Sequence, residues 1–408
     1  MTSGDRAVLT VTSYGHFLSH CNMLVFPALA LPLSKHFGLG LAATVELGFL
    51  MYLLFGITAL PWGMLADKYG SRPLLALFYC GAGCCAFAAA LSTDSPAAFQ
   101  LALAGIGLFS GIYHPAGLGW IARSISRTAA GMAINGIFGN LGLAAGPLLA
   151  GLLNWLFDIR AVYFCIGMLN FSGLVFLLRT GKKRAQGGSS EKTAEKKGRE
   201  RFTDRKGFGI LLVCMMLGGM VYRGATVTLP ALFELNASAV ASGVNSAVSS
   251  LSQNSAVSGN MVATMITACL YLIGMAGQYT GGLAGERYDL RYGYLLFHLL
   301  TVPAAFLIGR TADFPLVLAA AGHTFFLLGM QPLENTLVAR LTPSWMRSSA
   351  YGMKFVLTFG VGAVSVKLIA ALEQGRGLAT VFSVLGAVSV LLVVAIGILI
   401  RYTPPIRS

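Results

Sequence analysis

Residues 63–72 read Gly63-Met64-Leu65-Ala66-Asp67-Lys68-Tyr69-Gly70-Ser71-Arg72, and residues 281–291 read Gly281-Gly282-Leu283-Ala284-Gly285-Glu286-Arg287-Tyr288-Asp289-Leu290-Arg291. With one inserted residue, the acids (Asp67, Glu286), bases (Lys68, Arg287), tyrosines (Tyr69, Tyr288) and closing arginines (Arg72, Arg291) coincide. A second echo follows each copy: Ile121-Ala122-Arg123 with Arg127, Gly131 and Met132 is answered by Val338-Ala339-Arg340 with Arg347, Gly352 and Met353. The chain is therefore a duplication, with halves expected at 1–180 and 207–408. Between them, residues 181–206 are rich in Lys, Glu, Gly and Ser without apolar periodicity, which reads as a flexible linker.

Each half is almost free of charge. The 408 residues are 56% hydrophobic and 11% charged, whereas soluble chains hold nearer a quarter charged residues. The stretch from Asn236 to Gly285 has no Lys, Arg, Asp or Glu at all, which excludes a water-soluble enzyme with an ordinary solvated surface. A membrane span needs roughly 20 mostly apolar residues. Cutting at charged, Gly and Pro clusters leaves twelve: 8–34, 43–66, 73–92, 97–122, 129–156, 161–179, 208–234, 259–284, 292–309, 314–340, 347–373 and 378–401. The fold class expected is an all-α membrane protein of twelve transmembrane helices in two pseudo-symmetric six-helix bundles. No small-residue cleavage site ends a short apolar region in the first span, so it is read as a span rather than a signal peptide.

Twelve spans put both termini on one side. Of the 29 basic residues, 22 then fall in segments on that side and four (Lys35, Arg160, Arg310, Arg376) on the other, a bias that places termini and linker in the cytoplasm. The net charge of +14 is thus mostly topology. The basic linker reads as a solvated segment beside an anionic membrane surface, and no nucleic-acid partner is expected. The seven cysteines all lie inside expected spans and form no C-x-x-C pair; they read as small apolar filler. No metal, cofactor or catalytic motif is expected, and the chain is read as a monomer in the bilayer and not an enzyme.

The G-x-L-A-D-x-x-G-x-R pattern of residues 63–72, its degenerate copy and the six-plus-six layout resemble the major facilitator superfamily of secondary transporters over essentially the whole chain. Gly15-His16-Phe17-Leu18-Ser19-His20 and Gly111-Ile112-Tyr113-His114-Pro115 further resemble its bacterial fosmidomycin-resistance-like branch, named for a phosphonate anion. The resemblance implies a bacterial inner-membrane location and a cavity lined by spans one, four, seven and ten. It also links the Gly-rich fifth span (Gly136, Gly139, Gly142, Gly146) with antiporters, although close helix packing accounts for such a run equally.

The candidate site follows from the repeat. Aligning Pro27-Ala28-Leu29 with Pro230-Ala231-Leu232 sets His20 opposite Arg223, and counting back from Arg123 and Arg340 sets His114 opposite Gln331. Polar groups inside spans are costly and are functional candidates by default. Arg223, His20, His114 and Gln331, with Tyr113, Tyr222, Asn22 and Lys354, are therefore candidate substrate contacts. Arg223 paired with Glu234 or with carbonyls is the structural alternative. His16, His20 and His114, or Glu334, are the candidates for proton coupling, since His titrates near neutral pH; His323 is as readily a packed, hydrogen-bonded residue. No carboxylate is expected at mid-membrane, so the cavity should favour anions. Asp67, Lys68, Arg72, Glu286, Arg287, Arg291, Arg123 and Arg340 are the candidate gate, through ion pairs across the loops and with helix termini.

The function expected is export of a small organic anion by proton antiport through alternating access. Uptake by proton symport, and a non-transporting sensor or scaffold, are the alternatives. Residues 236–259 are read as a tolerated insertion on the outer side.

Overall fold

A computed structural model describes residues 1–125, 127–180, 205–251, 256–342 and 347–406; the expected linker lies almost wholly outside the described residues. Helices make up nearly all of it, and no strand occurs among the described residues. Ten helices are individually long and apolar enough to cross a membrane, and two bent pairs complete twelve spans. In span one, Ser3–Ala28 turns by 51° into Ala30–Phe37, just after Pro27. In span two, Leu41–Ile57 turns by 43° into Ala59–Tyr69. There Pro61 cannot donate to the carbonyl of Ile57, and the Thr58 hydroxyl bonds the Leu54 carbonyl at 2.6 Å. The remaining spans are Ser71–Leu91, Pro96–Ser124, Thr128–Leu156, Ile159–Arg179, Arg205–Asn236, Gly259–Arg287, Leu290–Ile308, Asp313–Leu341, an interrupted eleventh from Arg347 to Arg376, and Ala379–Tyr402.

Packing repeats the duplication seen in sequence. Span three lies on six and nine on twelve; two lies on four and eight on ten; one lies on five and seven on eleven. The halves meet most extensively through two pairs that the repeat makes equivalent, five with eight and two with eleven, and span one also touches span seven. The glycine face of span five is a packing surface: Gly139 abuts the His16 ring, Gly142 abuts the Phe17 carbonyl, and Gly146 faces Cys21 of span one. A side chain at Gly142 would push spans one and five apart.

Spans four and ten break at equivalent places. Span four is interrupted at Gly111 and Ile112, four residues before Pro115, and span ten at Met330, just before Pro332. A proline has no N–H to give to the carbonyl one turn earlier, which favours a break at both places. Span eleven breaks differently, with a π-helical turn at Val356–Gly360 followed by a 3-10 turn at Val361–Ala363.

The face that carries the two chain ends is called here the terminal face, and its opposite the far face. At the far face the halves are tied by polar contacts. The Ala42 amide donates to Glu373 at 3.0 Å, Lys367 pairs with Glu46 at 3.1 Å, and Asn260 donates to the Ala28 carbonyl at 2.8 Å. Toward the terminal face Leu60 of span two packs against Gly352 of span eleven. The stretch read as an outer insertion is helical, at Ser238–Leu251. Its first turn is capped by Asp313, which accepts from the Ala239 amide at 2.7 Å.

Candidate functional site

Span one carries His16 and His20 one helical turn apart, so their rings share a face. Span four, turned by its break, brings His114 against them. His20 Nε2 lies 3.1 Å from His16 Nε2, and the His114 ring centroid lies 5.3 Å from that of His16 and 5.4 Å from that of His20. His16 Nδ1 is 2.9 Å from the Asn135 carbonyl oxygen of span five. A carbonyl only accepts, so Nδ1 carries the proton and Nε2 of the neutral ring is a lone pair. Tyr113 stacks on His16 at 5.0 Å, and its hydroxyl is 2.8 Å from the Asn135 amide nitrogen. His114 lies between the halves: Phe55 of span two is 5.9 Å away and Phe355 of span eleven 4.9 Å. Neither of its ring nitrogens has a hydrogen-bond partner.

Arg223 is buried, 2% exposed, on span seven. Its guanidinium lies over the Tyr52 ring at 3.9 Å, with the Phe359 ring at 5.9 Å. Its Nε is unpartnered, and no ion pair reaches it among the described residues. The alternative pairing with Glu234 is not found: Glu234 instead accepts from Asn260 at 3.0 Å and faces Lys35 at 3.9 Å. Tyr222 lies beside the same aromatic group, 6.2 Å from Phe359.

Glu334 lies toward the end of span ten at Leu341, as expected, and makes a buried ion pair. It is buried, its Oε1 is 2.7 Å from Lys354 Nζ, and its Oε2 accepts from the Tyr294 hydroxyl at 2.8 Å. Lys354 also donates to Asn335 at 2.6 Å. Counting from the nearest charged boundary put Glu334 near a helix end; packing of span ten between eight, nine and eleven buries it. Because the pair is neutral overall, Arg223 is left as the excess charge of the site.

Two other expectations change. Asn22 turns into the first bundle, where it donates to Ser110 at 3.0 Å and exchanges bonds with Asn170, so it braces span one against four and six and does not line the site. His323 is packed with both ring nitrogens unbonded, not hydrogen-bonded. Gln331 accepts from Gln278 at 2.7 Å, and Gln278 accepts from Asn140 at 2.5 Å; this chain crosses from span ten to span five and does not include His114.

The loop charges are placed as follows. Asp67 pairs with Arg123 at 3.3 Å, and Arg123 also donates to Ser71 at 2.7 Å. Arg72 does not pair across the loop; it donates to the Leu177 carbonyl at 2.9 Å and to the Thr180 carbonyl. Lys68 lies over Tyr69. In the second copy the acid that pairs is not Glu286 but Asp289, where the first copy has Gly70. Arg291 Nη2 is 2.6 Å from Asp289 Oδ2, and Arg291 also reaches the carbonyls of Ile400 and Thr403. Glu286, Arg287 and Arg340 are exposed and make no ion pair among the described residues.

Tyr52, Phe55, Asn135, Phe355 and Phe359 complete the site and were not singled out from sequence. Aromatic residues in an apolar run look like filling, and only the spacing of Phe355 and Phe359, one turn apart beside Lys354, hints at a lining face.

Comparison with known proteins gives a consistent assignment of fold. A sequence model of the Major Facilitator Superfamily matches residues 13–259, more than half of the chain. Among solved structures, a bacterial homolog of the human lysosomal transporter Spinster, in an inward-facing and occupied conformation, superposes with a TM-score of 0.72 at 16% identity, covering 99% of this chain and 98% of that one. A mutant of the nucleoside transporter NupG gives a TM-score of 0.73 at 14% identity, covering 96% of this chain and 100% of that one. A POT family transporter in complex with 5-aminolevulinic acid gives 0.73 at 15% identity, covering 96% and 95%. No curated protein matches the chain significantly.

Proposed function

Since the chain belongs to the major facilitator superfamily of membrane transporters, we propose that it moves a small organic anion across a bacterial inner membrane by proton-coupled alternating access, with both termini cytoplasmic. The observation that carries this reading is Arg223, a buried guanidinium on an aromatic platform with no carboxylate partner. An unpaired buried cation costs several kcal/mol, and an anionic ligand relieves that cost. Neutral Glu334–Lys354 adds no competing negative charge. The three histidines beside the site are the groups we assign to carry the coupled proton, and the excess of basic residues on the terminal side orients the chain.

Export by antiport is the direction we favour; uptake by symport uses the same residues. The test is flux in proteoliposomes of known orientation under imposed pH gradients, with phosphonates, carboxylates and sugar phosphates as candidates. Anion flux driven by the gradient and lost in Arg223→Ala supports the reading. Preferential transport of cations, or undiminished flux in Arg223→Ala, overturns it.

A further inference from the structure

We infer that His16, His20 and His114 form a site for a borderline divalent transition-metal ion of the zinc, cobalt and nickel class. One ligand nitrogen from each ring can be chosen so that all three lie within 4.8 Å of one another. Imidazole nitrogens bound to one zinc ion at about 2.0–2.1 Å are about 3.4 Å apart in tetrahedral geometry. The His16–His20 pair, at 3.1 Å, is already at that spacing. Bringing His114 from within 4.8 Å to that spacing is a shift of up to about 1.4 Å, and since neither of its ring nitrogens is hydrogen-bonded, that movement breaks no existing bond.

The tautomers fit as well. His16 donates from Nδ1 to the Asn135 carbonyl, leaving its Nε2 as a lone pair aimed at His20. A ring proton given to a backbone carbonyl is the usual outer support of a metal-bound histidine. In the metal-free state His20 Nε2–H donates to that lone pair; with its proton on Nδ1 instead, His20 Nε2 becomes the second ligand. Tyr113, stacked on His16 and held by Asn135, fixes the ring plane. Three neutral imidazoles leave at least one coordination position open, as in sites that exchange a water for an anionic ligand.

The donor set also selects the ion. Mg²⁺ and Ca²⁺ require oxygen ligands, and no carboxylate belongs to the cluster. Arg223 and Lys354 are both near enough to act on these rings electrostatically, which penalises any cation that does not bond strongly to nitrogen. This assignment rests on the geometry of the three side chains and holds whether or not the transport reading does.

The test uses full-length protein in detergent, purified through a tag without histidine, and titrated with CoCl₂ alone. The expected result is saturable binding of one Co²⁺ per chain with visible d–d absorption, displaced by ZnCl₂ but not by MgCl₂. X-ray absorption at the zinc edge of the wild-type protein should show imidazole scattering at about 2.0–2.1 Å. His20→Gln and His114→Gln should each weaken Co²⁺ binding by more than about tenfold, while His36→Gln and His298→Gln leave it unchanged. Absence of saturable binding, a zinc spectrum without imidazole scattering, or unaltered Co²⁺ affinity in folded His114→Gln protein overturns the proposal. The wild-type spectrum decides the matter even if a variant does not fold.

Discussion

Lys354 Nζ lies 2.7 Å from Glu334 Oε1, with both residues buried between spans ten and eleven. Removing one partner of a buried pair leaves an uncompensated charge and costs about 3–5 kcal/mol, whereas replacing both with apolar groups of similar volume is often neutral or stabilising. Lys354→Met alone should therefore lower the melting temperature sharply. Lys354→Met with Glu334→Leu should recover most of the loss while abolishing gradient-driven flux. Melting curves of the single and double variants in detergent check the first statement, and a double variant less stable than either single one would refute it.

Arg223 presents the opposite case, a buried cation with no counter-charge. Its stabilising contact is the Tyr52 ring at 3.9 Å, worth on the order of 2 kcal/mol when desolvated, which is less than the cost of burying the charge. Arg223→Met should then raise the melting temperature and eliminate anion binding together. Arg223→Lys keeps the charge but loses the planar stacking face, so anion affinity should fall by at least about tenfold. Thermal melting and ligand titration on the same preparations check both; a destabilised Arg223→Met protein would mean that the guanidinium is structural.

The contrast between these two cations shows where sequence reasoning reaches and where it stops. The duplicated 63–72 motif and the lopsided basic residues made the two-bundle helical fold legible, because hydropathy and charge report on the bilayer without any knowledge of packing. The repeat also set His20 opposite Arg223 and His114 opposite Gln331, the family resemblance put them on lining spans, and helical spacing brought His16 alongside. Whether a polar residue turns toward the interface or into its own bundle depends on helix rotation, which sequence does not state; Asn22 and Asn170 hide from the site for that reason. The burial of Glu334 and its pairing with Lys354 were not legible either, since position along a helix does not state what packs around it. The π-helical turn at Val356–Gly360, which sets Phe355 and Phe359 against His114 and Arg223, has no residue signature at all.

At the terminal face, the Arg291 guanidinium holds the Asp289 carboxyl below the usual carboxylate range. A depressed folded-state value means that the pair's stabilisation is fully present above the ordinary carboxylate range. It is lost as pH falls through the depressed value, because the unfolded carboxylate takes up its proton first. Wild-type protein should lose thermal stability on acidification more steeply than Asp289→Asn, and the two should differ most near neutral pH, with wild type the more stable. Melting temperatures across a pH series check this; parallel curves would show that Asp289 contributes no linkage.

Spans two and eleven approach so closely that a Cβ placed on Gly56 would meet the backbone nitrogen of Gly360 and the backbone of Phe359. Backbone cannot rotate away as a side chain can, so Gly56→Ala must separate the two spans. Overpacking of this kind costs about 1–3 kcal/mol, and 1–2 kcal/mol is roughly a five- to thirtyfold change in a two-state population. The same two spans carry the far-face ties, Ala42 to Glu373 and Glu46 to Lys367, so the strain is released by parting them. Gly56→Ala should therefore exchange the amides of residues 38–46 faster than wild type, with those of spans three and six unchanged. Hydrogen–deuterium exchange of the two proteins measures it. Uniformly faster exchange would indicate general unfolding, and unchanged exchange would mean that the closed far face does not depend on this contact.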